Sequence, residues 1–188
     1  ELGGGCGLVA AVLAGLGARV TCTDGDPLAL RAAVRTCAEA RRRYGRGPRT
    51  QWGSVEFSSL PWGDPEAARK MVRTLGPFRF IVGSDLLYGE ASPPGPLLET
   101  LKAIASEPGG RNAEVVLAMK NRCTDEAAGF SKAAAATGLW KVRFADADDL
   151  PEGYEQRCTF SPDGCAYNVI HLTVVDQGDR KEEEEKGE

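Results

Sequence analysis

Four groups of residues in this 188-residue chain have types and spacings suited to chemistry. The first is the opening run Glu1-Leu2-Gly3-Gly4-Gly5-Cys6-Gly7. A glycine-rich turn ahead of a helix lets the main chain approach a ligand closely, and the helix N-terminus favours negative charge. The second is Asp24, about 20 residues on, where nucleotide-binding folds keep an acceptor for ribose hydroxyls. Asp26 competes for that role, although a helix cap suits it better. The third is Leu60-Pro61-Trp62-Gly63, whose indole either packs on an adenine face or is simply a half-buried loop aromatic. The fourth is Gly83-Ser84-Asp85-Leu86-Leu87-Tyr88, which sets D-x-x-Y in a loop after a buried strand. There Asp85 and Tyr88 serve either a substrate entrance or, more plainly, a loop cap and a core-edge aromatic.

The glycine spacing narrows the cofactor. A dinucleotide site wants G-x-G-x-x-G, which would require glycine at position 8 or 10, where Leu8 and Ala10 stand. The pattern here is E-x-G-x-G-x-G, the spacing of methyltransferases, whose cofactor has no pyrophosphate to cradle. Other chemistries lack their parts. His171 is the single histidine and lies far in order from any serine motif, so a triad has no base. Six cysteines occur without a C-x-x-C pair, which argues against a metal site. Cys6 and Cys22 fall in segments that read as buried, where a free thiol behaves as a small hydrophobe. The cluster Arg41-Arg42-Arg43, with Arg46 and Arg49, serves either contact with RNA or an acidic partner or, more plainly, the solvated end of a helix, since cations suit a helix C-terminus.

The elements that must position these groups alternate. Residues 8–16 are small and apolar almost all round, a helix packed on a sheet, stopped by Gly17. Arg19 to Thr23 reads as a buried strand. Asp26 and Pro27 then cap a helix that runs to Arg43. Strands follow near Gln51 to Phe57, Phe78 to Ser84, Val115 to Met119, Lys141 to Phe144 and Asn168 to Val175. Helices separate them near Glu66 to Leu75, Pro96 to Ser106 and Asp125 to Thr137. Such alternation predicts an α/β fold: a doubly wound, mostly parallel sheet covered on both faces.

Length and composition suit one domain, with 42% hydrophobic residues for a core. Its expected extent is residues 1–176, incomplete at the N-terminus, because the glycine motif should lie at the end of a first strand that is largely missing. Residues 146–167 read as a polar loop or hairpin, and 177–188 as a disordered acidic tail with almost nothing apolar to bury. The net charge of −4 is concentrated in Glu182 to Glu185, and it argues against nucleic acid as an obligatory partner. With neither a signal peptide nor a spanning apolar run, the expected location is cytoplasmic, with the nucleus as a further compartment.

Glu1 to Asp24, Leu60 to Gly63 and Phe80 to Tyr88 together resemble protein-lysine methyltransferase family 16, the methyltransferase-like 21 group. The resemblance covers roughly residues 1–145 in order, and the last strand also fits. It implies a Rossmann-like sheet of the seven-strand methyltransferase type with an antiparallel last strand. It implies S-adenosyl-L-methionine as cofactor, contacted by Glu1, Gly3, Gly4, Gly5, Asp24, Trp62 and Ser84. Asp85 and Tyr88 would line the entrance for a substrate lysine. The implied substrates are chaperones, AAA ATPases or elongation factors, and the implied state is a monomer needing neither metal nor membrane. Ser84 stands where the family often has alanine. The family's N-terminal segment, which closes over the cofactor, has no counterpart here. Two other readings remain open: methylation of a small molecule or nucleic acid on the same scaffold, and a catalytically silent fragment that only binds partners.

Overall fold

The computed structural model describes residues 1–45, 51–87, 93–120, 126–145 and 167–175. Within these, helices and strands alternate as α1 (Leu8–Gly15), β1 (Arg19–Asp24), α2 (Pro27–Tyr44), β2 (Ser54–Ser59), α3 (Pro65–Leu75) and β3 (Phe80–Ser84). They continue as α4 (Pro94–Ser106), β4 (Glu114–Lys120), α5 (Glu126–Ala136), β5 (Trp140–Phe144) and β6 (Tyr167–Val174). Local signals set several boundaries. Asp26 accepts from the Leu28 amide ahead of Pro27, and Asp64 accepts from the amides of Glu66 and Ala67 ahead of α3. These caps satisfy helix amides that have no intrahelical partner.

The strands form a parallel pair, β1–β2, and a four-stranded sheet in the order β3-β4-β6-β5. β3 and β4 are parallel, whereas β6 runs antiparallel to both β4 and β5. Residues 1–4 join the two sheets. The Leu2 amide donates to the Val82 carbonyl at 2.8 Å, and the Thr23 amide donates to the Glu1 carbonyl at 2.9 Å. A parallel bridge pairs Leu2 with Gly83. Across the molecule the order is therefore β2, β1, residues 1–4, β3, β4, β6, β5. This short ribbon lies at the carboxyl ends of its neighbours.

Helices cover both faces. On one side α1 and α2 bury Ala10, Ala11, Ala33 and Cys37 against Val20 and Cys22. On the other, α3, α4 and α5 pack a larger core around Leu97, Leu101, Ile104, Leu117 and Phe130. The apolar circumference of α1 is only partly covered: Leu8, Val12 and Leu16 form a stripe that is 63%, 53% and 79% exposed. The expected loop at 146–167 and tail at 177–188 lie outside the described residues, apart from Tyr167, which opens β6. The basic end of α2 is exposed, as expected, and there Arg42 and Arg43 both pair with Glu39.

Candidate functional site

The site is assembled at the carboxyl ends of β1, the Glu1–Gly4 ribbon and β3, where an open α/β sheet presents its loops to ligands. The glycine turn is held from three sides. The Gly4 amide donates to the Thr23 carbonyl at 2.8 Å, and the Gly5 amide donates to Asp24 Oδ2 at 2.9 Å. An added Cβ at Gly4 would stand 2.4 Å from Cys22 Sγ, and one at Gly3 would stand 2.7 Å from Leu86 Cδ2 and 3.1 Å from the Trp62 ring. Gly5 differs: its φ is +53°, and an added Cβ there meets nothing within 4 Å. The turn is thus packed below and open above, and it leads into α1, whose N-terminus has no side-chain cap.

Asp24 faces this turn. Its Oδ1 accepts from the Asp26 amide at 2.9 Å while Oδ2 holds Gly5. Each oxygen has a second lone pair, so the carboxylate retains capacity for two hydroxyl donors. Asp26 itself is the cap of α2, so the two acidic residues divide the roles. Trp62 is half-buried, packs on the main core and lies beside Gly3. The next amide, Gly63, donates to the buried Thr100 Oγ1 at 3.0 Å, which fixes the Trp62 loop. Ser84 ends β3 and is exposed, adjacent to Gly83, which pairs with Leu2. Asp85 is also exposed, with a left-handed φ of 56° and its amide donating to the Ala118 carbonyl at 2.8 Å. A non-glycine residue in that region stores strain of about 1–3 kcal/mol, a pattern found at functional sites. Tyr88 lies outside the described residues.

Glu1 is placed differently from the other candidates. Its carboxyl tucks under Gly4, 3.2 Å from where a Cβ would be, and Oε2 is buried without a hydrogen-bond partner among the described residues. Burial raises the Glu1 pKa, opposed by the N-terminal ammonium, the Cys22 thiol and the Ala10 amide. The same surroundings push the Cys22 thiol up to about 12, with burial the largest cause and the Glu1 charge next. Glu1 therefore supports the turn from beneath. Cys6, expected to be buried, is exposed, because the turn from Gly4 to Gly7 carries it outward; Cys22 and Cys37 are buried.

Residues that sequence reasoning passed over form the scaffold of the turn. Thr23 is 1% exposed and its hydroxyl donates to the Glu1 carbonyl at 2.8 Å. Ala33 on α2 lies against Gly7, where a Cβ added to the glycine would stand 2.7 Å from Ala33 Cα. Small residues facing a glycine turn are the one signal that would have indicated them. A cavity of about 500 Å³ is elsewhere: it lies at the opposite ends of β1 and β3, and neither Asp24 nor Trp62 lines it. Hydroxyl acceptors, open main chain and an indole converge instead at the carboxyl edge. Among the described residues no group of His, Cys, Asp and Glu could hold a metal, and no helix is long and apolar enough to cross a membrane.

A glycine turn at the end of a central strand, an acidic residue ending the next, and an antiparallel final strand define the class I methyltransferase fold, whose cofactor is S-adenosyl-L-methionine. The chain belongs to the lysine methyltransferase family: residues 1–136 match the model of that family, Methyltransf_16. Protein N-lysine methyltransferase METTL21A of Danio rerio is 36% identical over 106 residues, which span 56% of this chain and 43% of that protein. The matched region is thus less than half the length of this curated relative. Among solved structures, a TehB-like SAM-dependent methyltransferase from Corynebacterium glutamicum aligns with a TM-score of 0.55 at 14% identity, covering 93% of this chain and 78% of that one. The N-methyltransferase NodS from Bradyrhizobium japonicum aligns with a TM-score of 0.55 at 15% identity, covering 94% and 84%. At these identities the two structures establish the fold.

Proposed function

We propose that the chain transfers a methyl group from S-adenosyl-L-methionine to the ε-amine of a lysine in a protein substrate. The observation that carries this is the convergence, in a lysine methyltransferase family member, of an open glycine turn, Asp24 and Trp62 on one edge with the exposed Asp85. The cofactor supplies an electrophilic methyl group on a sulfonium; the protein binds, orients and excludes water. Gly3, Gly4 and Gly5 admit the ligand to the main chain. The free lone pairs of Asp24 take the ribose hydroxyls, Trp62 offers its ring to the adenine, and Ser84 borders the same edge. Glu1 acts through the turn it supports.

The incoming lysine must arrive as, or become, a neutral amine, since an ammonium has no lone pair for attack. A partly dry entrance lowers the lysine pKa and favours that form. Asp85 attracts the ammonium and orients the amine, and Tyr88 holds it through its hydroxyl and ring face. The proton leaves to solvent. The substrate reading extends, from the family resemblance, to a chaperone, an AAA ATPase or an elongation factor met by a monomeric enzyme in the cytoplasm or nucleus. Incubation with methyl-labelled cofactor and cell extract tests the reaction class. Label on lysines of one or a few proteins is the expected result; label on RNA, or none beyond the Asp85→Ala control, overturns it.

A further inference from the structure

Helix α4 buries an apolar face on the main core through Leu97, Leu101, Ala103, Ile104 and Ala105. Thr100 stands among them and is fully buried. The helix alone gives little reason for a threonine there. A β-branched side chain loses rotamer freedom in a helix, and a buried hydroxyl is costly unless it is bonded. Thr100 Oγ1 donates to the Pro96 carbonyl at 2.9 Å, one turn back, which would satisfy it locally. The same oxygen also accepts from the Gly63 amide at 3.0 Å, 37 positions earlier in the chain. The donated bond uses the hydroxyl hydrogen and leaves a lone pair for that amide.

Gly63 follows Trp62 in a tight turn and has a left-handed φ of +84°. The turn is tied on either side: the Leu60 amide donates to the Asp24 carbonyl at 3.0 Å, and Asp64 caps α3. Thr100 holds the turn itself. Helix α4 runs directly against it, since a Cβ added at Gly63 would stand 3.4 Å from Pro96 Cβ and 3.7 Å from Glu99 Oε2. At the other end the indole reaches the glycine turn, with Trp62 Cζ2 3.1 Å from where a Gly3 Cβ would be. We propose that Thr100 is a positioning residue for the adenine side of the cofactor site, a role that rests on the assignment of Trp62 to the adenine. Through the Gly63 amide it sets the Trp62 indole beside Gly3. Gly63 is itself exposed, so water can take its amide when the hydroxyl is removed. The loss then falls on the placement of the turn relative to α4.

The test titrates S-adenosylhomocysteine calorimetrically into the parent, Thr100→Val and Thr100→Ser, and into the same changes made with Trp62→Ala. Amide exchange at Gly63 is followed by NMR. Gly63 should be protected in the parent, and Thr100→Val should speed its exchange at least about tenfold. Thr100→Val should weaken binding at least about fivefold, equivalent to about 1 kcal/mol, while Thr100→Ser, which keeps the hydroxyl, should stay within about twofold. Trp62→Ala should itself weaken binding, and Thr100→Val should then add less than about twofold. A full further loss in that background overturns the positioning role, as do equal losses for the valine and serine variants. An unprotected Gly63 amide in the parent overturns the bond without recourse to a variant. If Trp62→Ala weakens binding and Thr100→Val does not, the role of Thr100 alone is refuted. If Trp62→Ala leaves binding unchanged, the adenine assignment is refuted and the role of Thr100 falls with it.

Discussion

Replacing Gly4 with alanine should damage the cofactor turn from below, and the structure sets the size of the effect. The added Cβ would stand 2.4 Å from Cys22 Sγ and 3.2 Å from Glu1 Oε2. Relaxed contacts need roughly 3.5–4.0 Å, so the sulfur contact is short by more than about 1 Å. Neither side yields easily, because Cys22 is fully buried and Gly4 is tied to the Thr23 carbonyl at 2.8 Å. Overpacking of this kind costs about 1–3 kcal/mol. In a chain of this length each kcal/mol lowers the melting temperature by about 2–4 °C. The turn would also lift from Asp24, so binding of S-adenosylhomocysteine, followed by calorimetric titration, should weaken by about tenfold or more, equivalent to about 1.4 kcal/mol. Cys22→Ala removes the obstructing sulfur and alone costs about 1 kcal/mol as a buried truncation. In the double variant the two losses should be mutually compensating, with a coupling of at least about 1 kcal/mol. Additive losses, agreeing within about 0.5 kcal/mol, would refute the proposed contact.

Three further outcomes are expected. Asp24→Asn replaces one accepting oxygen with a donor facing the Gly5 or Asp26 amide, so S-adenosylhomocysteine should bind at least about tenfold more weakly, by loss of a charged hydrogen-bond partner; undiminished affinity by titration would place the cofactor elsewhere. Burial raises the Glu1 pKa in the folded chain, so the native state holds its proton where the unfolded chain has lost it. Stability from this group is present below the ordinary carboxylate range and falls as pH rises from there through the folded pKa. The Glu1→Gln variant should therefore lose less melting temperature than the parent between pH 4 and pH 8, on the order of the carboxylate's titration range. Brief alkylation at neutral pH with peptide mass mapping should modify Cys6 and spare Cys22, whose thiol is buried and pushed up to about 12; modification of Cys22 at the same rate would contradict the packing beneath Gly4.

Local chemistry was legible in the residues. The Asp26-Pro27 start, the β-branched run at 19–23 and the glycine turn each depend on near neighbours, and each forms as the pattern predicts. The dinucleotide pattern was excluded by Leu8 and Ala10, and the structure uses Ala10 as a fully buried helix contact. What periodicity does not carry is non-local pairing: that β6 inserts between β4 and β5 follows from partners more than twenty residues away. Side-chain direction in a tight turn is equally hidden. Glu1 and Cys6 differ by five positions, yet left-handed glycines send one carboxyl under the sheet edge and the other thiol into solvent.

The central claim is that the methyl donor sits on the carboxyl edge of the sheet, and amide NMR during titration with S-adenosylhomocysteine tests it most directly. Shifts should concentrate at Gly3 to Gly5, Asp24 to Asp26 and the Trp62 indole, with Arg19, Phe80 and the rest of the cavity of about 500 Å³ unmoved. Shifts confined to that cavity, or no saturable shift at the glycine turn, would contradict the account.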